Sequence, residues 1–381
     1  MPLIIPIFLM NRGCPHRCIF CNERLTAGDH PERITESAFT ETVRTHLDSA
    51  GRKSGPVQIA FYGGTFTGME REEQSRLLEL AAPFLRGGAV DGIRISTRPD
   101  GIDGENLDLL RTSGVTTVEV GAQSLHDGVL LRSRRGHSAA DTIRAVALLR
   151  EKGFETGIHL MAGLPGDSPN RFAETIDRVI ALRPDMVRIH PTLVLRDTPL
   201  AKAFQEGIYL PLGLRGAVDL CKNALRALTA AGIPVIRLGL QTTRELEKPG
   251  AVIAGPFHPA FRSLVETALF LEMATALLSS AGRESGAPAL PPADAGVGSP
   301  LYFTLSPADV SNFYGAKREN IKILQERFGL ACIRISPDPA LPRQTLILTV
   351  GEKHLRTDYS GQITRIRLQE DTRHGMDHST Q

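Results

Sequence analysis

The sequence predicts an α/β protein. A (β/α) series, rolled into a whole or partial barrel or laid out as a doubly wound sheet, precedes a small α+β unit. Three observations predict it. Seven short apolar runs alternate with amphipathic stretches over the first 280 residues. The runs are mostly apolar rather than cleanly alternating, as in parallel strands covered on both faces. At 282–300 eight of nineteen residues are Gly or Pro and the apolar periodicity stops, which predicts a linker.

Strands are expected at Leu3–Phe8, Val57–Tyr62, Gly92–Ser96, Thr117–Gly121, Thr156–Met161, Met186–His190 and Val235–Leu240. Helical patterns lie between and after them, including Glu70–Ala82, Ala139–Lys152, Phe172–Leu182, Ala217–Ala231 and Phe261–Ser280. Six or seven such units in series are what a (β/α) barrel or a doubly wound sheet requires. Beyond the linker, Leu301–Leu305 reads as a strand, Pro307–Phe313 and Glu319–Phe328 as helices, and Ala331–Ile335 and Thr345–Val350 as strands. The expected plan is a core over 1–281, a linker over 282–300, an α+β domain over 301–357 and a tail over 358–381.

Composition excludes several classes. Of 381 residues 41% are hydrophobic and 23% charged, so the chain is not wholly disordered. Lys+Arg number 44 and Asp+Glu 42, so no overall charge demands a nucleic-acid or membrane partner. The apolar N-terminus is short, contains two prolines and lacks a preceding basic stretch, unlike a signal peptide. No segment reads as a membrane helix, and the expected location is the cytoplasm. Of five cysteines, three lie within eight residues, which is no disulfide framework.

Those three are the sharpest signal. Cys14, Cys18 and Cys21 form a C-x3-C-x2-C spacing directly after the first strand. Thiolates so close can hold corners of one cluster or ion, and soft sulfur ligands select Fe–S or zinc. Zinc would need a fourth ligand, for which His16 and His30 are available. A redox pair would use only two of the three. A cluster held by three thiolates leaves one iron open.

This cysteine loop resembles that of the radical SAM superfamily, and the later motifs agree in order over roughly residues 3–280. The resemblance implies a partial barrel of that family. It also implies a [4Fe–4S] cluster on Cys14, Cys18 and Cys21, with S-adenosylmethionine chelating the open iron. Reductive cleavage would give a 5′-deoxyadenosyl radical that abstracts a substrate hydrogen. A reductant such as flavodoxin or ferredoxin is implied as well. Phe20, before the third cysteine, is expected beside the adenine. Gly63, Gly64 and Thr65 follow the second strand. Two glycines there let a ligand approach the backbone, and in the family this motif receives the amino group of the methionine moiety.

Thr97-Arg98-Pro99-Asp100 resembles the branch that contains the elongator catalytic subunit, with Ser96 where relatives often carry Glu. Gln123, and Arg135 twelve residues on, resemble the coproporphyrinogen dehydrogenase branch. That likeness assigns Gln123 to the ribose hydroxyls and Arg135 to the methionine carboxylate, a group a guanidinium fork suits. His159 stands where that branch has a ribose-binding Asp. Its imidazole can bond a hydroxyl, or it can be a structural strand histidine. Arg188, His190, Arg237, Gln241 and His258 are substrate-side candidates at later strand ends. Cys221 and Cys332 read as small core residues.

The βααβ order after the linker, with Gly315-Ala316-Lys317-Arg318 between two helices, looks like a KH-type RNA-binding fold. Arg318 replaces the second Gly of the G-x-x-G loop. Lys317, Arg318, Lys322 and Arg327 would face phosphates or form a solvated basic face. Three functions follow as alternatives: a radical SAM enzyme on RNA, possibly tRNA; one on a small molecule; or a non-catalytic, zinc-stabilised RNA-binding protein. The residues after the linker are too few for the acetyltransferase domain of the elongator subunit. Acetyl-CoA-dependent carboxymethylation is therefore not implied.

Overall fold

The computed structural model describes residues 2–31, 33–50, 55–283 and 301–366. The chain divides into two compact units, Met1–Arg262 and Ser263–Gln381.

Among the described residues the first unit has nine strands: β1 Leu3–Phe8, β2 Val57–Tyr62, β3 Gly92–Thr97, β4 Val115–Gln123, β5 Glu155–Ala162, β6 Met186–Pro191, β7 Val194–Leu195, β8 Val235–Leu238 and β9 Val252–Ala254. Seven form one sheet in the order β1-β2-β3-β4-β5-β6-β8, with every neighbour parallel. β7 and β9 make a separate antiparallel pair. Strands that follow one another in chain order, joined by right-handed crossovers, keep their helices on one side, and the sheet curls into a half-barrel. A doubly wound sheet needs a reversal of strand order, which is absent here.

The helices are α1 Glu23–Ala27, α2 Glu36–Ser49, α3 Arg71–Arg86, α4 Gly104–Thr112, α5 Asp127–Arg132, α6 Ala139–Glu151, α7 Pro169–Leu182, α8 Pro199–Gln205 and α9 Leu214–Ala230. Side-chain oxygens begin several of them: Thr35 caps α2, Ser168 caps α7, and Ser138 with Asp141 closes a capping box on α6. Ile5, Ile7, Ile59, Phe61, Ile93, Ile95, Val118 and Val120 share one core with Phe39, Val43, Leu77 and Leu107 of the helices. Side chains alternate along a strand. The residues between these point into the hollow of the half-barrel, and several are charged.

The second unit holds most of α10 Phe261–Arg283, then β10 Leu301–Leu305, a short 3-10 turn at Pro307–Asp309, α11 Val310–Tyr314 and α12 Glu319–Phe328. Four strands follow: β11 Arg334–Pro337, β12 Thr345–Val350, β13 Lys353–Asp358 and β14 Thr364–Ile366. They make a sheet in the order β11-β10-β12-β13-β14. β10 runs parallel to β11 and antiparallel to β12, and β13 and β14 extend the sheet antiparallel. Phe270 of α10 meets Phe313 and Tyr359 edge-on at 6.2 and 5.7 Å. Asn312 donates to Glu266, and Asn320 donates to the Thr267 carbonyl.

Three differences from the sequence reading follow. The sequence gives α10 to the barrel, whereas from Ser263 onward it groups with the C-terminal strands. A helix apolar nearly all round does not declare which sheet it covers. The same helix is long and apolar enough to cross a membrane, with mean hydropathy 1.4 over Phe261–Gly282, which corrects the expectation that no segment reaches that length. Half of that stretch is buried within the protein, as befits a core helix. Finally, β14 lies inside the segment read as a tail. Of the expected linker, residues 284–300 lie outside the described residues, as does the tail from 367.

Candidate active site

The cysteine loop is tied to the end of β2. After β1 the chain turns through Met10 and Asn11, both left-handed at φ 45° and 63°. Asn11 N–H donates to the Gly63 carbonyl at 2.6 Å, and Thr65 N–H donates to the Arg12 carbonyl at 2.9 Å. Gly63 has φ 80°, and a Cβ on Gly64 would stand 2.6 Å from the Arg12 carbonyl oxygen. Glycine is therefore required at both positions. Thr65 is buried, with its hydroxyl 3.3 Å from Cys14 Sγ. Cys21 Sγ lies 3.6 Å from Asn11 Oδ1.

Cys18 is tied to β4. Its sulfur accepts a hydrogen bond from Arg135 at 2.9 Å, and the same guanidinium donates to the Gly121 carbonyl. Arg135 is 6% exposed, and its Nε has no partner among the described residues. Neither has Gln123 Oε1. Gln123 ends β4 with φ 67°, just after a register slip, a strained conformation for a residue other than glycine. The strain sets its amide beside Arg135: a Cβ on Gly121 would lie 3.2 Å from Gln123 Nε2 and 3.4 Å from the Arg135 guanidinium. The structure thus brings Cys18, Gln123 and Arg135 together, and Cys14 with Thr65.

Phe20 is half-buried and packs with Ile19, Val194 and Leu200. His159 and His190 make their own pair, with Nε2 of the first 3.1 Å from Nδ1 of the second. Both are held neutral. Burial, then Arg188, Arg135 and Arg237, push His159 down to about 3. Burial, then His159 and the same two later arginines, take His190 well below its ordinary value. His137, beside Arg135, falls to about 4, mainly by burial. Burial also raises the Cys14 and Cys21 thiols, so thiolates here need a positive centre to hold them ionised.

Of the later candidates, Arg188, His190 and Arg237 line the hollow. Gln241 is exposed, and His258 Nδ1 accepts from Ala260 N–H within its own turn. Cys221 is buried as expected, whereas Cys332 is exposed and precedes β11, which corrects its reading as a core residue.

A hub that the sequence reading passed over joins four strands. Glu119 Oε1 accepts from Arg94 at 2.8 Å, Arg188 at 2.9 Å and the Tyr62 hydroxyl at 2.9 Å. Its second oxygen lies 2.7 Å from Arg188 Nε. The signal was available, because Arg94, Glu119 and Arg188 each interrupt an otherwise apolar strand.

The radical SAM superfamily pattern matches residues 8–179, and its C-terminal domain matches residues 184–270. Together they take in well over half of the chain. It belongs to the radical SAM superfamily. Among curated proteins this radical SAM chain is 28% identical over 259 residues to the tRNA uridine(34) acetyltransferase of Methanocaldococcus infernus. That match takes in 58% of this chain and 48% of the relative. It is also 34% identical over 208 residues to protein YhcC of Escherichia coli, covering 51% and 65% of the two chains. Elongator complex protein 3 of Saccharomyces cerevisiae matches 47% of this chain at 28% identity. The chain spans about half the length of the curated acetyltransferases it matches. Among solved structures, Methanocaldococcus infernus Elp3 superposes with TM-score 0.55 at 22% identity, over 70% of this chain and 62% of that one.

The superfamily implies S-adenosylmethionine and a [4Fe–4S] cluster, and the residues present fit them. A cluster takes a different iron for each thiolate and does not require the three sulfurs to meet at one point. The two histidines open to zinc are otherwise placed. His30 stacks on Phe8 at 4.8 Å and bonds the Ala27 carbonyl, and His16 packs over Gly136. The orphaned Gln123 Oε1 and Arg135 Nε supply one acceptor and one donor for a polar ligand beside Cys18.

Proposed function

We propose that Cys14, Cys18 and Cys21 hold a [4Fe–4S] cluster, and that the chain binds S-adenosylmethionine beside it to begin radical chemistry on an RNA, with tRNA the leading substrate. The observation that carries the reading is Arg135, which reaches Cys18 while one of its donors stays free next to Gln123. When bound and reduced, the cluster supplies the electron that breaks the sulfonium C–S bond.

The chain's own residues do the rest. Arg135 holds the methionine carboxylate, and Gln123 Oε1 accepts from a ribose hydroxyl. Gly63 and Gly64 let the amino group reach backbone carbonyls, and Phe20 lies by the adenine. His159 has Nε2 engaged with His190, so a ribose contact from it uses Nδ1. Support for RNA comes from the tRNA-modifying relatives and from the exposed Lys317, Arg318 and Lys322 at the α11–α12 turn and the first turn of α12; Arg327, expected beside them, lies at the far end of that helix. Arg318 lies over the Tyr314 ring at 4.6 Å, a platform of the kind that meets bases and phosphates. A low-potential carrier such as flavodoxin or ferredoxin would supply the electron.

Anaerobic reconstitution should give about four iron atoms per chain and 5′-deoxyadenosine on reduction, both lost in Cys18→Ala. Mass spectrometry of tRNA nucleosides from a deletion strain should show one modification missing. Stoichiometric zinc without acid-labile sulfide would overturn the cluster, and an unchanged tRNA profile would overturn the substrate.

A further inference from the structure

The hollow of the half-barrel carries a guanidinium that no described side chain pairs directly. Arg94 and Arg188 share Glu119. Arg237 has no hydrogen-bond or ion-pair partner among the described residues, although it is half-buried on β8. It sits opposite Arg188 in the β6–β8 register, so two guanidinium groups stand side by side. Burial, then the neighbouring Arg188, disfavour its charged form and outweigh the smaller favourable pull of Tyr62 and Glu119. His190, two residues beyond Arg188 and on the same face of β6, buries an Nε2 that bonds nothing. His159 lies opposite Arg188 on β5 and occupies His190 Nδ1, which leaves Nε2 to face outward. His159 is also close enough to feel both Arg135 and Arg237, so this row adjoins the pocket assigned to S-adenosylmethionine.

An unpaired cation next to a like charge destabilises the protein that carries it. A lone pair of oxyanion oxygens resolves every open valence at once. The guanidinium fork donates two parallel bonds to a carboxylate or phosphate. His190 adds a third in the tautomer where His159 Nε2–H donates to His190 Nδ1. We infer that Arg237, with His190 Nε2 and the flank of Arg188, is the receptor for an anionic group of the substrate, a phosphate or a carboxylate. The inference rests on the radical SAM reading of the hollow.

The test uses the anaerobically reconstituted protein with S-adenosylmethionine bound. Inorganic phosphate is titrated by phosphorus NMR and succinate by saturation-transfer NMR. One of them binds saturably, and Arg237→Gln weakens it by about tenfold or more, the loss expected for charge-assisted bonds. Arg132→Gln, at the exposed last residue of α5, leaves it unchanged. Without ligand, Arg237→Gln melts at the same temperature as the parent or higher, because a ligand-binding cation with no internal partner is a burden on the fold. Preference for phosphate assigns a phosphorylated substrate such as an RNA, and preference for succinate assigns a carboxylate-bearing small molecule. Failure of both anions to bind, an unchanged affinity in Arg237→Gln, or a lower melting temperature in that variant overturns the receptor. 5′-Deoxyadenosine is measured in the same samples. If it is absent while anion binding persists, the radical reading falls and the receptor stands.

Discussion

Glu119→Ala should be among the most damaging single changes outside the apolar core. The side chains of Arg94 and Glu119 are 3% and 5% exposed, so their contact is shielded from water. Removing the carboxylate strands Arg94 with two neutral acceptors, Gln58 Oε1 at 2.9 Å and the weaker Met186 Sδ at 3.1 Å, and with the more exposed Glu155 at 3.9 Å. Breaking a buried pair from one side costs about 3–5 kcal/mol. Arg188 is less buried and can rehydrate, and Glu155 offers partial compensation, which puts the expected loss near the lower bound, about 3 kcal/mol. The assay is urea denaturation followed by far-UV circular dichroism, with the loss taken from the shift in midpoint. Adding Arg94→Met should restore a large part of the loss, because the double variant leaves no buried charge alone. A single-variant loss below about 1 kcal/mol, the range of exposed pairs, would refute the reasoning. So would a double variant no more stable than Glu119→Ala.

Three further outcomes are expected. Arg135→Ala should retain iron but bind S-adenosylmethionine about a hundredfold more weakly, the effect of leaving a carboxylate unpaired in a desolvated site; calorimetry showing equal affinity would point to another arginine. His137 and His159 are held neutral at about 4 and about 3 in the fold, so the unfolded chain binds more protons below its ordinary histidine value near 6.5. Stability should therefore fall as pH drops from about 6.5 to 4, by on the order of 3 kcal/mol for His137 alone, and equilibrium unfolding at stepped pH that showed no fall would contradict their burial as neutral rings. Replacing Lys317, Arg318 and Lys322 with Ala should lower the salt slope of tRNA binding by about two units, at roughly 0.7 per phosphate contact, as read by gel-shift titrations at several ionic strengths.

The seven sheet strands of the half-barrel were legible to within two residues at either end, because each is a mostly apolar run between turn residues. Where a run carries charge, the sequence was less transparent. Arg94 sits between Ile93 and Ile95, and nothing local says that the hollow holds a carboxylate from β4 to meet it. α2 offers Phe39, Val43 and the partly buried Leu47 to the core, a stripe one residue wide among polar neighbours. β13 alternates charged residues with Leu355 and Thr357 and reads as loop until β12 is laid beside it. The cysteine spacing gave the candidate cluster ligands directly. The contact from Arg135 to Cys18 spans 117 positions. Its counterpart in the sequence was only a likeness in spacing between Gln123 and Arg135. The pairing of His159 with His190, and the Arg237 guanidinium that no described side chain pairs directly, depend on cross-strand register, which no window of residues contains.

The place of α10 in the chain has a consequence for biogenesis. A ribosome releases this helix before any strand of the sheet that covers it, and its partners on α11 and beyond β13 come only after the 284–300 stretch. During that interval an apolar helix of 23 residues is without its cover, and exposed surface of that kind attracts chaperones and membranes. A stalled or truncated product ending near residue 283 would be stickier than one ending at 262. For the same reason, an independently expressed C-terminal unit should begin at the helix rather than at Leu301. Cut after the linker, it would present Phe313 and Tyr359 to water, with nothing from Phe270 to cover them.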